Sequence, residues 1–312
     1  MPAGDDIPLP PLAAADLACD VLVIGAGIVG LAIALRLQRE GRQVTVIDRT
    51  DVAAEASRGN AGALAFTDIL PLASPGILRK APRWLLDPLG PLSIAPAYLP
   101  RIAPWLFHFW RASFPARVKA SAAAQAALMD LSIGETDAML AAAGATDMLR
   151  SDGVLHLYES EAELAASEPG WQARAAHGIA FTHLHGAQAI AELQPGLSST
   201  LVAATFLPAW KTIADPLLLT LTIARRFTEL GGRLRRGEAL ALEPAGAQGV
   251  IVPVAGGQRI TAQQVVVAAG AWSHRLARTL GERIPLETER GYNTTLPVTA
   301  FDLKRQLTFG GH

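Results

Sequence analysis

Apolar residues in this chain come in short blocks whose period changes from place to place. Val21 to Ile24 is an unbroken aliphatic run, the pattern of a strand buried on both faces. A helically spaced apolar stretch then runs to about Glu40, where Gly41 closes it. Val44 to Ile47 is a second apolar run, ending at Asp48. Strand, helix and strand in this order predict a βαβ unit at the start of a doubly wound sheet.

The pattern then alters. Residues 70–116 are dense in proline, with Trp84, Trp105, Phe107, Phe109 and Trp110 among them, and read as an insertion of short helices. Residues 117–150 are Ala-rich and helically spaced. Gly153–Ser160, Phe181–Gly186 and Val202–Pro208 alternate as strands. A helix is predicted from Pro216 to about Leu230, stopped by Gly231 and Gly232. "QQVVVAAGAW" reads as a buried strand ending in a glycine turn, and "PLETERGYNTTLP" and "LKRQLTFGG" as strands. The predicted fold class is α/β: a doubly wound, Rossmann-like dinucleotide domain interleaved with a β-rich α+β domain. The expected segments are a loose leader (1–18), dinucleotide domain (19–69 and 213–282), helical insertion (70–150) and second domain (151–212 and 283–312).

Composition narrows the class. With half of its 312 residues hydrophobic and 18% charged, the chain is globular. A net charge of −1 gives no general attraction to nucleic acid, and no nucleic-acid partner is expected. The single Cys19 excludes an internal disulfide framework and reads as packing. The run Val21–Leu35 is broken by glycines, and the residues before it carry Asp5, Asp6, Asp16 and Asp20 with no Lys or Arg. That is the wrong charge for a signal peptide, and the run is short for a membrane span. A cytoplasmic protein is expected, at most peripheral to the inner membrane.

The chemistry begins at Gly25, Gly27 and Gly30, a G-x-G-x-x-G turn between the predicted strand and helix. The glycines allow a tight turn, backbone approach to a pyrophosphate and close helix–strand packing, while the helix start offers N–H groups to the phosphates. Asp48 can accept hydrogen bonds from ribose hydroxyls, which disfavours a 2′-phosphate and leaves FAD and NAD. The small-residue loop "EASRGNAGALA", with Ser57, Asn60, Ala61 and Gly62, suits a second phosphate contact and the edge of a flat ring.

Taken in order, GAGIVG, SRGNAG, VVVAAGAWS and ERGY resemble the D-amino-acid oxidase superfamily of FAD enzymes, and within it the bacterial D-amino-acid dehydrogenase small-subunit type. "DGVLHLYES", "LPRIAPWLFHFWRAS" and "PLETERGYNTTLP" sharpen the likeness, which covers residues 19–312. It implies FAD held without a covalent bond by Gly25, Ala26, Gly27, Ile28, Gly30, Asp48 and Arg49. Ser57, Asn60, Ala61 and Gly62 would approach the pyrophosphate and flavin, Ala239 the adenine, and Ala269 and Gly270 would form the return turn. It also implies oxidative deamination of a D-amino acid by hydride transfer from Cα to the flavin, with a quinone or similar electron acceptor. The rival readings are an oxygen-using oxidase of glycine, sarcosine or D-proline-like amines, and a flavin-fold chain without turnover. Asp48 departs from the glutamate usual in the family. Family members continue past the equivalent of His312, so the chain is expected to be shortened at its C-terminus and to retain FAD weakly.

Arg290 and Tyr292, either side of Gly291, are the candidate catalytic pair: arginine can clamp a substrate carboxylate through two parallel bonds, and tyrosine can close a pocket. A strand-end arginine and a core tyrosine are the competing reading. His183 and His185 share a strand face but lack a third ligand, so no metal is assigned. The Tyr98–Trp110 stretch reads as a helix packed over the core or, with Arg101 and Arg111 at its margins, docked on a membrane surface. The sequence leaves the oligomeric state open.

Overall fold

The computed structural model describes residues 7–73, 96–286, 288, 291, 292, 294 and 301–309. The strands are β1 (Ala18–Ile24), β2 (Val44–Asp48), β3 (Ala63–Leu64), β4 (Leu149–Arg150), β5 (Val154–Tyr158), β6 (Thr182–His185), β7 (Ala203–Leu207), β8 (Lys211–Ile213), β9 (Arg233–Arg236), β10 (Glu243–Pro244), β11 (Val250–Pro253), β12 (Arg259–Val267) and β13 (Gln306–Phe309). The helices are α1 (Ile28–Arg39), α2 (Leu99–Ala112), α3 (Pro115–Ala143), α4 (Glu161–Ala175), α5 (Ala187–Leu193), α6 (Pro216–Glu229) and α7 (Ser273–Thr279). The chain divides into two units.

The first unit comprises Met1–Gly62, Thr136–Leu149 and Ile213–Thr295. Its sheet has the order β10-β11-β12-β1-β2-β9. β12, β1, β2 and β9 run parallel, with Val23 level with Val266 and Val46, and β11 and β10 complete one side antiparallel. The apolar run Val21–Ile24 is buried throughout because β1 lies mid-sheet. α1 buries Gly30, Leu31, Ala34 and Leu35, a stripe one helical turn apart, and Gly41 ends it with φ +85°. α6 is started by Asp215, whose carboxylate accepts the Leu218 N–H at 2.9 Å, with Pro216 next in line. It packs against α1. The stretch before β1, expected to be loose, is tied down over residues 7–17: Leu9 and Asp16 are buried there.

The second unit comprises Ala63–Glu135, Arg150–Thr212 and Leu296–His312. Its sheet has the order β13-β5-β7-β6. β5 pairs antiparallel with β7, β7 with β6, and β13 joins β5 in parallel. Alternation sorts the two faces. Leu155 and Leu157 pack with Ile190, Leu201 and Ala204, while Val154 on the opposite face packs with Trp171, Leu207 and Trp210. The strands expected at Gly153–Ser160, Phe181–Gly186, Val202–Pro208 and "LKRQLTFGG" form. The described part of "PLETERGYNTTLP" carries no strand. α2 buries none of its residues, and Leu99, Trp105 and Phe107 stand exposed. Its Ile102, Leu106, Phe109 and Trp110 are half-buried. Among the described residues no helix is long and apolar enough to cross a membrane.

Candidate dinucleotide site

The glycine turn sits where β1, β2 and β12 end side by side. Gly25 has φ +118°, a conformation side chains rarely adopt, and an added Cβ would lie 2.3 Å from the Ala268 carbonyl oxygen at the end of β12. A Cβ on Gly30 would lie 2.0 Å from the Gly25 carbonyl oxygen. These two glycines let turn, helix and strand close on one another. Gly27 is different, since its Cβ would meet only Ser57 Oγ, at 3.1 Å. Its bare backbone is the N-cap of α1, beside N–H groups that have no partner within the helix. Those N–H groups and the helix start suit the negative charge of a diphosphate. The Ile28 N–H donates to Ser57 Oγ at 2.9 Å, which ties the second loop to the helix start.

Asp48 closes β2. Its Oδ2 accepts the Ala26 N–H at 2.8 Å, and its Oδ1 accepts the Thr50 N–H and hydroxyl at 2.9 Å each. A carboxylate offers about four acceptor positions, so a ribose hydroxyl would take the remaining one. The acid thus staples the glycine turn to the loop after β2. Arg49 pairs with Glu55 at 2.7 Å, and its guanidinium lies 4.0 Å from the centre of the Trp272 ring. That stack joins the loop after β2 to the turn after β12.

Asn60 shapes its loop from within. Its amide donates to the Ala56 and Ser57 carbonyls and its Oδ1 accepts the Gly62 N–H at 2.9 Å. Gly62 has φ +64°, with room for no Cβ beside the Ile213 carbonyl, and Ala61 is exposed. Ala239 bridges Val254 and packs on the core beneath the sheet. Ala269 precedes the short turn Gly270–Trp272, where space above Gly270 is open. The fourteen positions expected to hold the cofactor all belong to this first unit. Thr50, Trp272 and Arg236 were not singled out by the sequence. Trp272 lies inside a motif that was read, but its partner is set by the fold.

Arg290 lies outside the described residues. Tyr292 is 87% exposed. His183 Nδ1 meets Thr205 Oγ1 at 2.8 Å, and His185 Nδ1 lies 3.0 Å from Glu161. Among the described residues no group of three or more His, Cys, Asp or Glu is placed to hold a metal ion. Burial pushes the Cys19 thiol up to about 11, so it is protonated at neutral pH. His156, on the second unit's sheet, stands edge-on to Trp171 and Trp210. Burial, helped by the charge of Arg174, pushes it down to about 4.

A family model described as FAD dependent oxidoreductase matches residues 20–310. A D-amino-acid oxidase of Bradyrhizobium diazoefficiens is 34% identical over 285 residues, covering 88% of this chain and 66% of its own. A D-amino acid dehydrogenase of Rhizobium johnstonii is 32% identical over 285 residues, covering 89% and 67%. The chain therefore spans about two thirds of the length of these curated relatives. The crystal structure of glycine oxidase from Geobacillus kaustophilus superposes with a TM-score of 0.57 at 20% identity, over 85% of this chain and 58% of that one. That likeness shows the fold.

Proposed function

This chain belongs to the FAD-dependent oxidoreductase (DAO) family, and from that premise we propose that it oxidatively deaminates D-amino acids and passes the electrons to a quinone or similar acceptor. The observation that carries the reading is the cradle at Gly27, built between the α1 start, Ser57 and the Asp48 carboxylate. The names of relatives at 32–34% identity supply the substrate class. FAD, when bound, would supply the acceptor for the hydride, a proton with its two electrons, that leaves Cα. The residues of this chain do the holding: the α1 N-terminus and Ser57 loop face the diphosphate, Asp48 the ribose, and Ala239 the adenine side. Arg290 clamps the substrate carboxylate, because an anion left unpaired in an apolar site is costly. No acid–base pair is assigned, since a neutral amine and an aligned C–H bond need positioning above all. The imino acid released takes up water to give a 2-oxo acid and ammonia.

The test supplies the chain with FAD and offers D-alanine, D-proline and hydroxy-D-proline with a redox dye. Dye reduction is expected, with 2-oxo acid and ammonia from D-alanine and a cyclic imine from the two prolines, and L-enantiomers serve as controls. Turnover of the L-forms alone, or of neither, overturns the substrate assignment. Peroxide formed rapidly with oxygen alone moves the acceptor to oxygen, a second reading favoured by the oxidase name of the Bradyrhizobium relative. The exposed aromatic residues of α2, with Arg101 and Arg111 beside them, support peripheral contact with a membrane carrying the quinone. Co-sedimentation with anionic lipid vesicles is the expected result, and unchanged sedimentation rules it out.

A further inference from the structure

We propose that residues 7–17, acting through Arg236, form a strap that holds the loop after β2 and the glycine turn in their nucleotide-binding shape. The proposal rests on the FAD reading and adds to it a positioning element outside the glycine motif. β9 is the outer parallel strand of the first unit's sheet. The N-terminal segment covers that edge: the Arg236 N–H donates to the Pro10 carbonyl at 2.7 Å, and Pro11 bridges Arg236 in the parallel sense. Farther along, Asp16 is fully buried between Arg235 at 2.6 Å and Arg233 at 3.6 Å, and accepts the Ala13 N–H at 2.9 Å. A carboxylate buried in this way fixes its segment, since without its arginines it would be a buried, unpaired charge. Leu12 adds an apolar contact against the core, near Gly237.

From the strap a hydrogen-bonded route leads into the site. The Leu9 N–H donates to Asp51 Oδ1 at 3.2 Å, and Arg236 donates to the same oxygen at 2.6 Å. Those two contacts, the Leu9 N–H first, hold the Asp51 carboxyl below the usual carboxylate range. Arg236 Nε also donates to the Thr50 carbonyl at 3.4 Å. Thr50 in turn gives its N–H and hydroxyl to Asp48 Oδ1, and Asp48 Oδ2 takes the Ala26 N–H inside the glycine turn. Asp48 therefore presents its remaining acceptor in an orientation set from Pro10, Asp51 and Arg236. Ordering done before the nucleotide arrives is ordering that binding need not supply.

The test compares the 312-residue chain with Asp51→Ala and Arg236→Met, at exposed side chains whose loss strands no buried charge, and with Arg236→Lys as the conservative control. Amide exchange in the FAD-free chains reads the strap directly. The Ala26 and Thr50 amides are expected to exchange at least about tenfold faster in Asp51→Ala and Arg236→Met, with β1 and β12 unchanged. FAD titration is expected to show a Kd raised about fivefold or more, as preorganisation is lost, with Arg236→Lys between parent and Arg236→Met. Unchanged exchange at both amides overturns the proposal, as does faster exchange with FAD affinity intact. A parent chain that binds NAD in place of FAD overturns the cofactor reading instead, and the exchange data then still decide whether the strap holds the turn.

Discussion

At the scale of single residues, the three glycines of one motif do unequal work, and substitution should separate them. Gly30→Ala places a methyl 2.0 Å from a backbone oxygen that cannot move without shifting the turn. Overpacking of this kind costs roughly 1–3 kcal/mol or more, and urea unfolding of the FAD-free chain should show it. Gly27→Ala meets only a serine hydroxyl, so its unfolding midpoint should match the parent within about 0.5 kcal/mol. Its FAD Kd should nonetheless rise at least about tenfold, or about 1.4 kcal/mol. Equal FAD binding by Gly27→Ala would mean that the diphosphate does not lie on that backbone. The sequence revealed where these glycines stand but could not rank them, because rank depends on what β12 brings alongside. Asp48 teaches the same lesson. Its position at a strand end was legible, but its bonds to Ala26 and Thr50 come from the closing of two loops.

At the scale of elements, period and punctuation carried most of the information. β1, α1 and β2 lie where the apolar runs and Gly41 put them, and α6 begins at the Asp215–Pro216 start signal. What period does not carry is the partner of an exposed apolar helix, and α2, rich in Trp and Phe, has no fully buried residue. Nor does it show that a strand will bury a titratable ring. On β5, His156 lies on the same face as Trp171 and Trp210, and its folded-state value near 4 is below the ordinary 6.5. The native state therefore prefers the neutral ring. That contribution is fully present above about pH 6.5 and is lost as pH falls toward 4, by an amount on the order of 3 kcal/mol at most. His156→Phe keeps a ring between the two indoles and removes the titration. Its stability should fall less than the parent's between pH 7 and pH 4.5 when both are followed by urea unfolding. Parallel losses would assign the acid sensitivity to other groups.

At the scale of the whole molecule, strand order brings distant segments together. The first unit gathers the nucleotide cradle from segments far apart in sequence: Gly25–Gly30, Asp48–Gly62, Arg236–Ala239 and Ala268–Trp272. A parallel sheet does this because every strand–helix turn emerges at the same edge, which makes the strand order a positioning device. The substrate side follows different logic, for there a single charge must be matched. An amino acid brings a carboxylate, and on the proposed reading Arg290, in ERGY, is the arginine that meets it. A guanidinium forms two parallel bonds to a carboxylate and fixes its plane, whereas an ammonium holds it as a point charge and leaves it free to turn. Arg290→Lys should therefore raise KM for D-alanine about tenfold or more while FAD affinity stays at the parent value, because none of the residues that build the glycine cradle is residue 290. If KM holds and the unfolding midpoint falls instead, Arg290 braces its own segment, and the carboxylate is held by another cation.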